Sequence, residues 1–434
     1  MNHCGYITRI KNLRKHSNAD RLQCGEVFGN SVIVGLDIQD NELGFYIPTD
    51  LKVSLVFATI NELIRNKETN TGYLDPDKLN ITTIKLRGEK SDGIFLPLSS
   101  LDSFYCSDKL KEGDTITTLR GVIICEKYIP RGKEKRQGTP KSTKKIYGPK
   151  TTYPLFKEHK DTTQLAYNLN QLKDGDEIVV TLKCHGSSGR TSNTLTDKTK
   201  HYNKYIYKLM NIFKIKPAIT KEWKVVSGTR RTILNIFDGG FYGDNSFRFK
   251  YHNLLEDKLF KGETIYYEIV SWVNNSKLIM PECDNRRTKD KEFIKQYGNT
   301  TKFTYGCEKG ESAIYVYRMT MTNEDGYIVE YPWDLVKQRC EQMNIAHVPE
   351  LYRFTLSKEI NNESYILALA NLLADGPDPI GKTHIREGVV VRINNRTTFN
   401  AFKHKSFYFK VLEGIIKSDD ILDREEAEGV INEV

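Results

Sequence analysis

The sequence predicts an α+β protein in two parts, a small all-β module followed by a larger region of mixed strands and helices. Three observations predict it. The first ~125 residues read as short β-branched runs cut by turn signals. A basic stretch punctuated by Gly and Pro follows at 126–150. From residue 151 onward, strand-like runs alternate with helix-like stretches.

In the first part the runs are Val32-Ile33-Val34, Gly44-Phe45-Tyr46-Ile47, Ile81-Thr82-Thr83-Ile84, Gly93-Ile94-Phe95-Leu96 and Gly121-Val122-Ile123-Ile124. Asn18-Ala19-Asp20, Gly29-Asn30 and Asp40-Asn41 supply turns between them, the pattern of a small barrel or sandwich. One helical interruption is expected around residues 61–66. The 126–150 stretch carries nine cations against two carboxylates, a net +7, while the whole chain is +9. Composition reads it as a linker, either a solvated tether or a clamp on backbone phosphates. Beyond it, strands are expected at 177–182, 264–270, 313–317 and 388–393, and helices at 333–343 and 364–373. The acidic end, 417–434, reads as a solvated helix or frayed terminus. The expected domains are therefore 1–125, the linker 126–150, and 151–434.

Composition excludes several classes. At 434 residues, 28% charged and 38% hydrophobic, the chain is neither a fibrous repeat nor a secreted mini-protein. No run is long and apolar enough for a membrane helix, and Lys11, Arg14 and Lys15 interrupt any signal-peptide core. The eight cysteines contain no C-x-x-C pair, so zinc ribbons and dithiol redox chemistry are disfavoured. Reduced thiols and a cytoplasmic protein, or a host-cytoplasmic one if viral, are the expectation.

The sharpest local feature is Lys183-Cys184-His185-Gly186-Ser187-Ser188-Gly189-Arg190, directly after an expected strand. A glycine-rich turn lets backbone and hydroxyls approach a phosphate, and a lysine at a strand end is a candidate nucleophile once its pKa falls. The order is not that of a P-loop, because the lysine precedes the glycines. Three other segments add charge to apolar runs: Glu268 in Tyr266–Val270, Glu387 in Arg386-Glu387-Gly388, and Lys403-His404-Lys405. A carboxylate inside a β run costs free energy unless it is paired or binds a cation. Hard oxygen donors suit Mg²⁺ or Mn²⁺.

These segments resemble, in order, the motifs of ATP-dependent RNA ligases, within the superfamily that also holds DNA ligases and mRNA capping enzymes. Lys183-Cys184-His185-Gly186 resembles motif I in its K-x-[DH]-G form, Glu268 motif III, and Tyr315-Val316-Tyr317 motif IIIa. Arg386-Glu387-Gly388 resembles motif IV and Lys403-His404-Lys405 motif V, with Val226–Arg230 similar to a further ligase segment. Asn18–Leu22, Val32–Gly35, Phe45–Pro48, Ile84–Gly88 and Ser91–Ile94 resemble the OB module that precedes the transferase domain in the Deinococcus/Naegleria-type branch. Phe156–Thr162 is similar to the approach to motif I.

The resemblance implies an N-terminal OB-fold barrel at 1–125 and, at 151–434, a nucleotidyltransferase domain (ATP-grasp-like) of antiparallel sheets with flanking helices. It implies an ATP-dependent ligase that joins 3′-OH and 5′-phosphate ends through lysyl-AMP, with Mg²⁺ or Mn²⁺, on RNA or an RNA-containing nicked duplex. The implied catalytic residues are Lys183 as nucleophile, Lys403 and Lys405. The implied nucleotide contacts are Leu182, Lys183, Gly186, Arg190, Glu268, Tyr315, Tyr317, Glu387, Lys403 and Lys405, with Glu268 and Glu387 holding the metal through water. Either tyrosine is a candidate for stacking on adenine. Arg87, Lys141, Lys144, Lys145 and Arg230 are the expected nucleic-acid contacts. A monomer without membrane contact is expected. The alternatives are a capping-type or other nucleotidyltransferase, or a non-catalytic RNA-binding protein.

Three departures stand out. His185 replaces the superfamily's aspartate, and Arg318 stands where many relatives carry an acidic residue. The 85-residue interval from Lys183 to Glu268 marks 195–222 and 235–262 as candidate insertions.

Overall fold

The computed structural model describes residues 3–66, 72–128, 151–200, 202, 204–234, 237, 242–243, 245–357 and 363–416. The linker lysines Lys141, Lys144 and Lys145 and the acidic end at 417–434 lie outside the described residues.

Among the described residues, the two largest sheets of the N-terminal part have four and three strands, beside three two-stranded pairs. Gly5–Arg9, Leu43–Ile47, Ile94–Pro97 and Thr115–Ile116 form one, and Lys11–Lys15, Leu22–Val27 and Asn30–Gly35 the other. Side chains alternate across a strand, so Leu43–Ile47 serves two cores. Phe45 and Ile47 pack with Ile7, Leu51 and Phe57, while Tyr46 packs with Tyr6, Val32, Val34 and Phe95. The short helix falls at Leu55–Ile60, not at the expected 61–66. Ser54 sets its start by accepting a hydrogen bond from the Phe57 N–H, and Asn61 already closes it. Tyr167 ties this part to the rest, with ring centroids 4.4 Å from Tyr6 and 4.9 Å from Phe28.

The larger part is two facing sheets. One runs in the order Thr151–Thr152, Ser187–Thr199, Glu263–Asn274, Ser312–Thr322, Ile328–Glu330, with Ile219–Thr229 also pairing with Ser187–Thr199. The other runs Thr163–Gln164, Ala401–Lys405, Gly388–Ile393, Glu177–Leu182, Glu350–Thr355. Thr163–Gln164 pairs in parallel with Ala401–Lys405, whereas the other named strand pairs are antiparallel. Val179, Leu182, Ile265, Ile269, Val316 and the fully buried Trp333 meet in the main core. Ile178 and Val180 face the opposite way, under the helix Glu363–Ala374. The helices expected at 333–343 and 364–373 are found at Trp333–Met343 and Glu363–Ala374.

One buried ion pair closes the far side of the first sheet. Glu263 is fully buried and accepts two bonds from Arg339, at 2.9 and 2.8 Å, while Arg339 stacks over Phe260 at 4.0 Å. Removing one member of such a pair leaves an uncompensated buried charge. Glu263→Ala is therefore expected to lower unfolding free energy by about 3–5 kcal/mol, read from a denaturant melt.

Candidate active site

The strand Glu177–Leu182 delivers Lys183 to the gap between the two sheets. The Lys183 N–H donates to the Gly388 carbonyl at 3.0 Å and the Leu182 N–H to Pro349 at 2.9 Å, which fixes the strand end from both sides. The His185 N–H donates to the Tyr305 hydroxyl at 2.5 Å. The chain then crosses to the other sheet at Gly186. A Cβ there would sit 2.2 Å from the Ile269 carbonyl oxygen, so only glycine passes. The next strand pairs Ser188 with Glu268, and Glu268 in turn sits opposite Tyr315.

Gly388 does the same job on the other side. Its φ is +150°, and an added Cβ would lie 2.1 Å from the His404 carbonyl oxygen and 2.7 Å from the Lys405 Cα. That close approach sets Glu387 beside the strand Ala401–Lys405, where Lys403 and Lys405 share a face. Gly388→Ala should force the two strands apart. The expected result is a lower unfolding midpoint and at least about a hundred-fold loss of nucleotide transfer to the protein, read by radiolabel incorporation.

The charged groups converge. Glu387 Oε1 lies 2.7 Å from Lys183 Nζ and 3.7 Å from Lys405 Nζ, and its Oε2 lies 3.4 Å from His185 Nδ1. Burial alone would raise the Glu387 pKa, but Lys183, His185 and Lys405 hold it well below the usual carboxylate range. Burial pushes Glu268 up to about 7, with Lys183 pulling it down and Glu387 pushing it up. Lys403 falls to about 8 through burial and the cations Lys183, Lys405 and Arg230. Burial would lower the Lys183 pKa too, yet Glu387 and Glu268 outweigh it and the net shift is upward.

Glu387 Oε2 is buried with no hydrogen-bond partner. Among the described residues no three His, Cys, Asp or Glu side chains gather as a metal cage. The two carboxylates are hard oxygen donors, the kind that fits Mg²⁺ or Mn²⁺, which keep several waters.

Other expected site residues fall differently. Arg190 is 1% exposed. Its Nε donates to the Thr229 carbonyl at 3.0 Å, its Nη1 donates to the Lys157 carbonyl, and its guanidinium stacks on Phe156 at 4.2 Å. It therefore anchors the approach segment 156–157 from within the protein. Leu182 packs its side chain into the main core. Tyr315 and Tyr317 are both half-buried and alternate with the buried Ile314, Val316 and Arg318, as expected of one face, and a bulge follows. The register shifts so that Tyr267 faces Val316 and Tyr266 faces Arg318, which leaves Tyr317 as a bulge. Its hydroxyl is 3.0 Å from Ser188 Oγ and its ring meets His159 edge-on at 5.3 Å. Tyr315 stays in register opposite Glu268.

Arg230 pairs with Asp161 at 2.5 Å, and its charge acts on both Glu268 and Lys403. Arg87 lies exposed in the turn between Ile84–Leu86 and Glu89–Ser91, with φ +46°. The two unusual substitutions find partners. His185 sits edge-on between Phe303 and Phe409 and faces Glu387. Arg318 binds Glu330 through bonds of 2.8 and 3.0 Å and stacks on Phe399 at 4.1 Å.

Sequence reasoning missed three residues. Arg248, from the helix Ser246–Glu256 in the second candidate insertion, donates to the Ser188 carbonyl at 3.2 Å and to Ser187 Oγ. Tyr305 holds the backbone just after Lys183. His159 is held neutral, its pKa pushed down to about 3 by burial and by Arg318, Arg230 and Arg190. Each acts through a pairing distant in sequence; no local signal marks Arg248 or Tyr305, and His159 was marked only as part of the segment Phe156–Thr162.

Lys183 thus lies between the two sheets beside the buried Glu387, the half-buried Glu268 and two further lysines. A family model for RNA ligases matches residues 176–412, more than half of the chain, and the chain belongs to that family: it is an RNA ligase. No curated protein matches the sequence. Solved structures of a Naegleria gruberi RNA ligase share the fold over nearly the whole length. The form with PPi superimposes at TM-score 0.56 and 16% identity, covering 94% of this chain and 98% of that one. A mutant with ATP and Mn gives 0.56 and 16%, covering 95% and 99%, and a mutant with AMP and Mn gives 0.54 and 16%, covering 93% and 96%.

Proposed function

We propose that this RNA ligase seals 3′-OH/5′-phosphate breaks, at nicks in duplexes, by way of a lysyl-AMP intermediate on Lys183, using ATP and Mg²⁺ or Mn²⁺. The observation that carries this reading is the convergence of Lys183, Glu268, Glu387, Lys403 and Lys405 on one point between the sheets. The Naegleria enzyme's structures with ATP and Mn, AMP and Mn, and PPi support the choice of nucleotide and metal.

In the first step the Lys183 amine attacks the α-phosphorus of ATP. A P–N bond forms, pyrophosphate leaves, and the amine loses a proton. AMP then passes to the 5′-phosphate of the broken strand, freeing the lysine. The neighbouring 3′-OH attacks that phosphate, AMP departs and a phosphodiester forms. Each step is a phosphoryl-type transfer in which positioning and charge neutralisation do most of the work. Lys403 and Lys405 contact the α-phosphate. Glu268 and Glu387 would hold the metal, through its waters. When bound, the metal offsets phosphate charge and weakens the grip of the two carboxylates on the Lys183 proton. Tyr315 or Tyr317 covers the adenine.

In this reading residues 1–125 are an OB-type module that grips the nucleic acid, with Arg87 on its surface. Residues 126–150, with Lys141, Lys144 and Lys145, add phosphate contacts, and 151–434 is the catalytic domain. Arg230 bridges site and strand. Binding through such cations should weaken steeply with salt. The affinity for a nicked duplex is expected to fall at least about tenfold between 50 and 200 mM salt, read by fluorescence anisotropy.

The deciding experiment is sealing of matched nicks that carry RNA or DNA on the 3′-OH side. Faster sealing with RNA there supports the assignment, because a 2′-OH near the break marks an A-form end. Protein labelling without any joined product would move the chain to another nucleotidyltransferase activity.

A further inference from the structure

The strands Ser187–Thr199 and Ile219–Thr229 start at the floor of the active site and run outward together. Their pairing continues from Gly189↔Thr229 to Thr199↔Ile219, a rail of about 34 Å at ~3.4 Å per residue. The helix Lys204–Ile212 crosses the far end. Tyr205, Leu209, Ile212, Phe213, Ile215 and Ile219 are each more than half exposed there. The first four recur at helical spacing and form one stripe. Lys208, Lys214, Lys216 and Lys221 are interleaved with them and also exposed. Over residues 198–224 there are eight lysines and one carboxylate, a net +7.

The composition of this tip selects its occupant. Four bare aliphatic side chains gain nothing from phosphates or from a nucleic-acid groove, so nucleic acid leaves most of the apolar surface unused. A second copy of the same tip would set lysines against lysines. A peptide helix needs a groove with buried walls, whereas every position from Ile212 to Lys221 except Pro217 is exposed. An anionic bilayer surface meets all three conditions. Its headgroups pair with the lysines, its interfacial layer takes the large apolar side chains, and it needs no groove to receive them.

We propose that residues 204–221 form a membrane-surface foot that rests on anionic lipid and holds the active site at a fixed standoff from the bilayer. The expectation of no membrane contact came from the lack of a spanning segment, and no helix among the described residues is long and apolar enough to cross. A foot that lies on the surface needs no such helix. The inference is independent of which strand the ligase seals.

The test is flotation of the full chain with vesicles of phosphatidylcholine containing roughly 30% phosphatidylserine, beside vesicles of phosphatidylcholine alone. The expected result is flotation with the anionic vesicles at least about tenfold above the neutral ones, reversed by salt. Leu209→Glu/Phe213→Glu and Lys208→Glu/Lys214→Glu/Lys216→Glu should each abolish it. Both variants change exposed side chains, so label transfer from ATP to the protein should remain at the wild-type rate and report that the fold is intact. No flotation with anionic vesicles at low salt overturns the proposal. So does flotation that survives Leu209→Glu/Phe213→Glu. A raised KM for nicked RNA in the lysine variant without vesicle binding reassigns the tip to nucleic acid.

Discussion

Lys183→Ala should abolish transfer of label from ATP to the protein, by at least about 10³-fold, while leaving the fold and nucleotide pocket in place. The amine follows directly on the strand Glu177–Leu182, and its backbone is pinned at 3.0 Å to Gly388. Lys403 and Lys405 do not substitute for it, because they project from the neighbouring strand Ala401–Lys405. A strand supplied with its 5′-end already adenylated needs no lysine nucleophile. Joining of that strand should therefore persist in Lys183→Ala, which separates loss of the nucleophile from loss of the fold. Lys183→Arg should be equally dead in the first step, since a guanidinium does not release its proton in the accessible pH range.

Glu268→Gln should have two opposite effects. Sealing should fall by about 10² or more, because the carboxylate that balances Lys183, and that we propose holds metal waters, is lost. Stability of the ligand-free protein should rise. Burial holds the Glu268 carboxyl at about 7 in the folded state against an ordinary value of 4.5. A carboxyl whose folded pKa is raised resists ionisation that the unfolded chain undergoes freely. The penalty is absent below the unfolded value, grows as pH rises from 4.5 to about 7, and stays constant above. At pH 8 the glutamine variant should be more stable by on the order of 1–3 kcal/mol. The gap should close near pH 4.5. Melting curves at the two pH values check the sign.

The reading from residues succeeded where chemistry is local. Strand runs around Val179, Tyr267, Val316 and Val390 are β-branched or aromatic, and the helices at Trp333–Met343 and Glu363–Ala374 show clear periodicity. Gly186 and Gly388 sit where the chain passes within van der Waals range of a neighbouring strand, and both flank charged residues that local pattern already singled out. What escaped depends on pairings distant in sequence. The anchoring of Arg190 by Phe156, Lys157 and Thr229 is one of them. The bulge at Tyr317 arises from a register shift against Tyr266 and Tyr267, which alternation within one strand does not encode. Arg248 and Tyr305 lie outside every motif and reach the site only through tertiary packing. The short helix expected at 61–66 falls at Leu55–Ile60, where the Ser54 cap sets its start.

The central claim is a covalent bond between one amine and adenylate. Incubation with ATP and Mn²⁺, followed by proteolysis and mass spectrometry of the peptides, tests it directly. The expected result is a mass increase of one adenylate on the peptide carrying Lys183, sensitive to acid and absent from Lys183→Ala. Adenylate on a different residue, or no adenylated peptide from a protein that still joins strands with ATP, would contradict it.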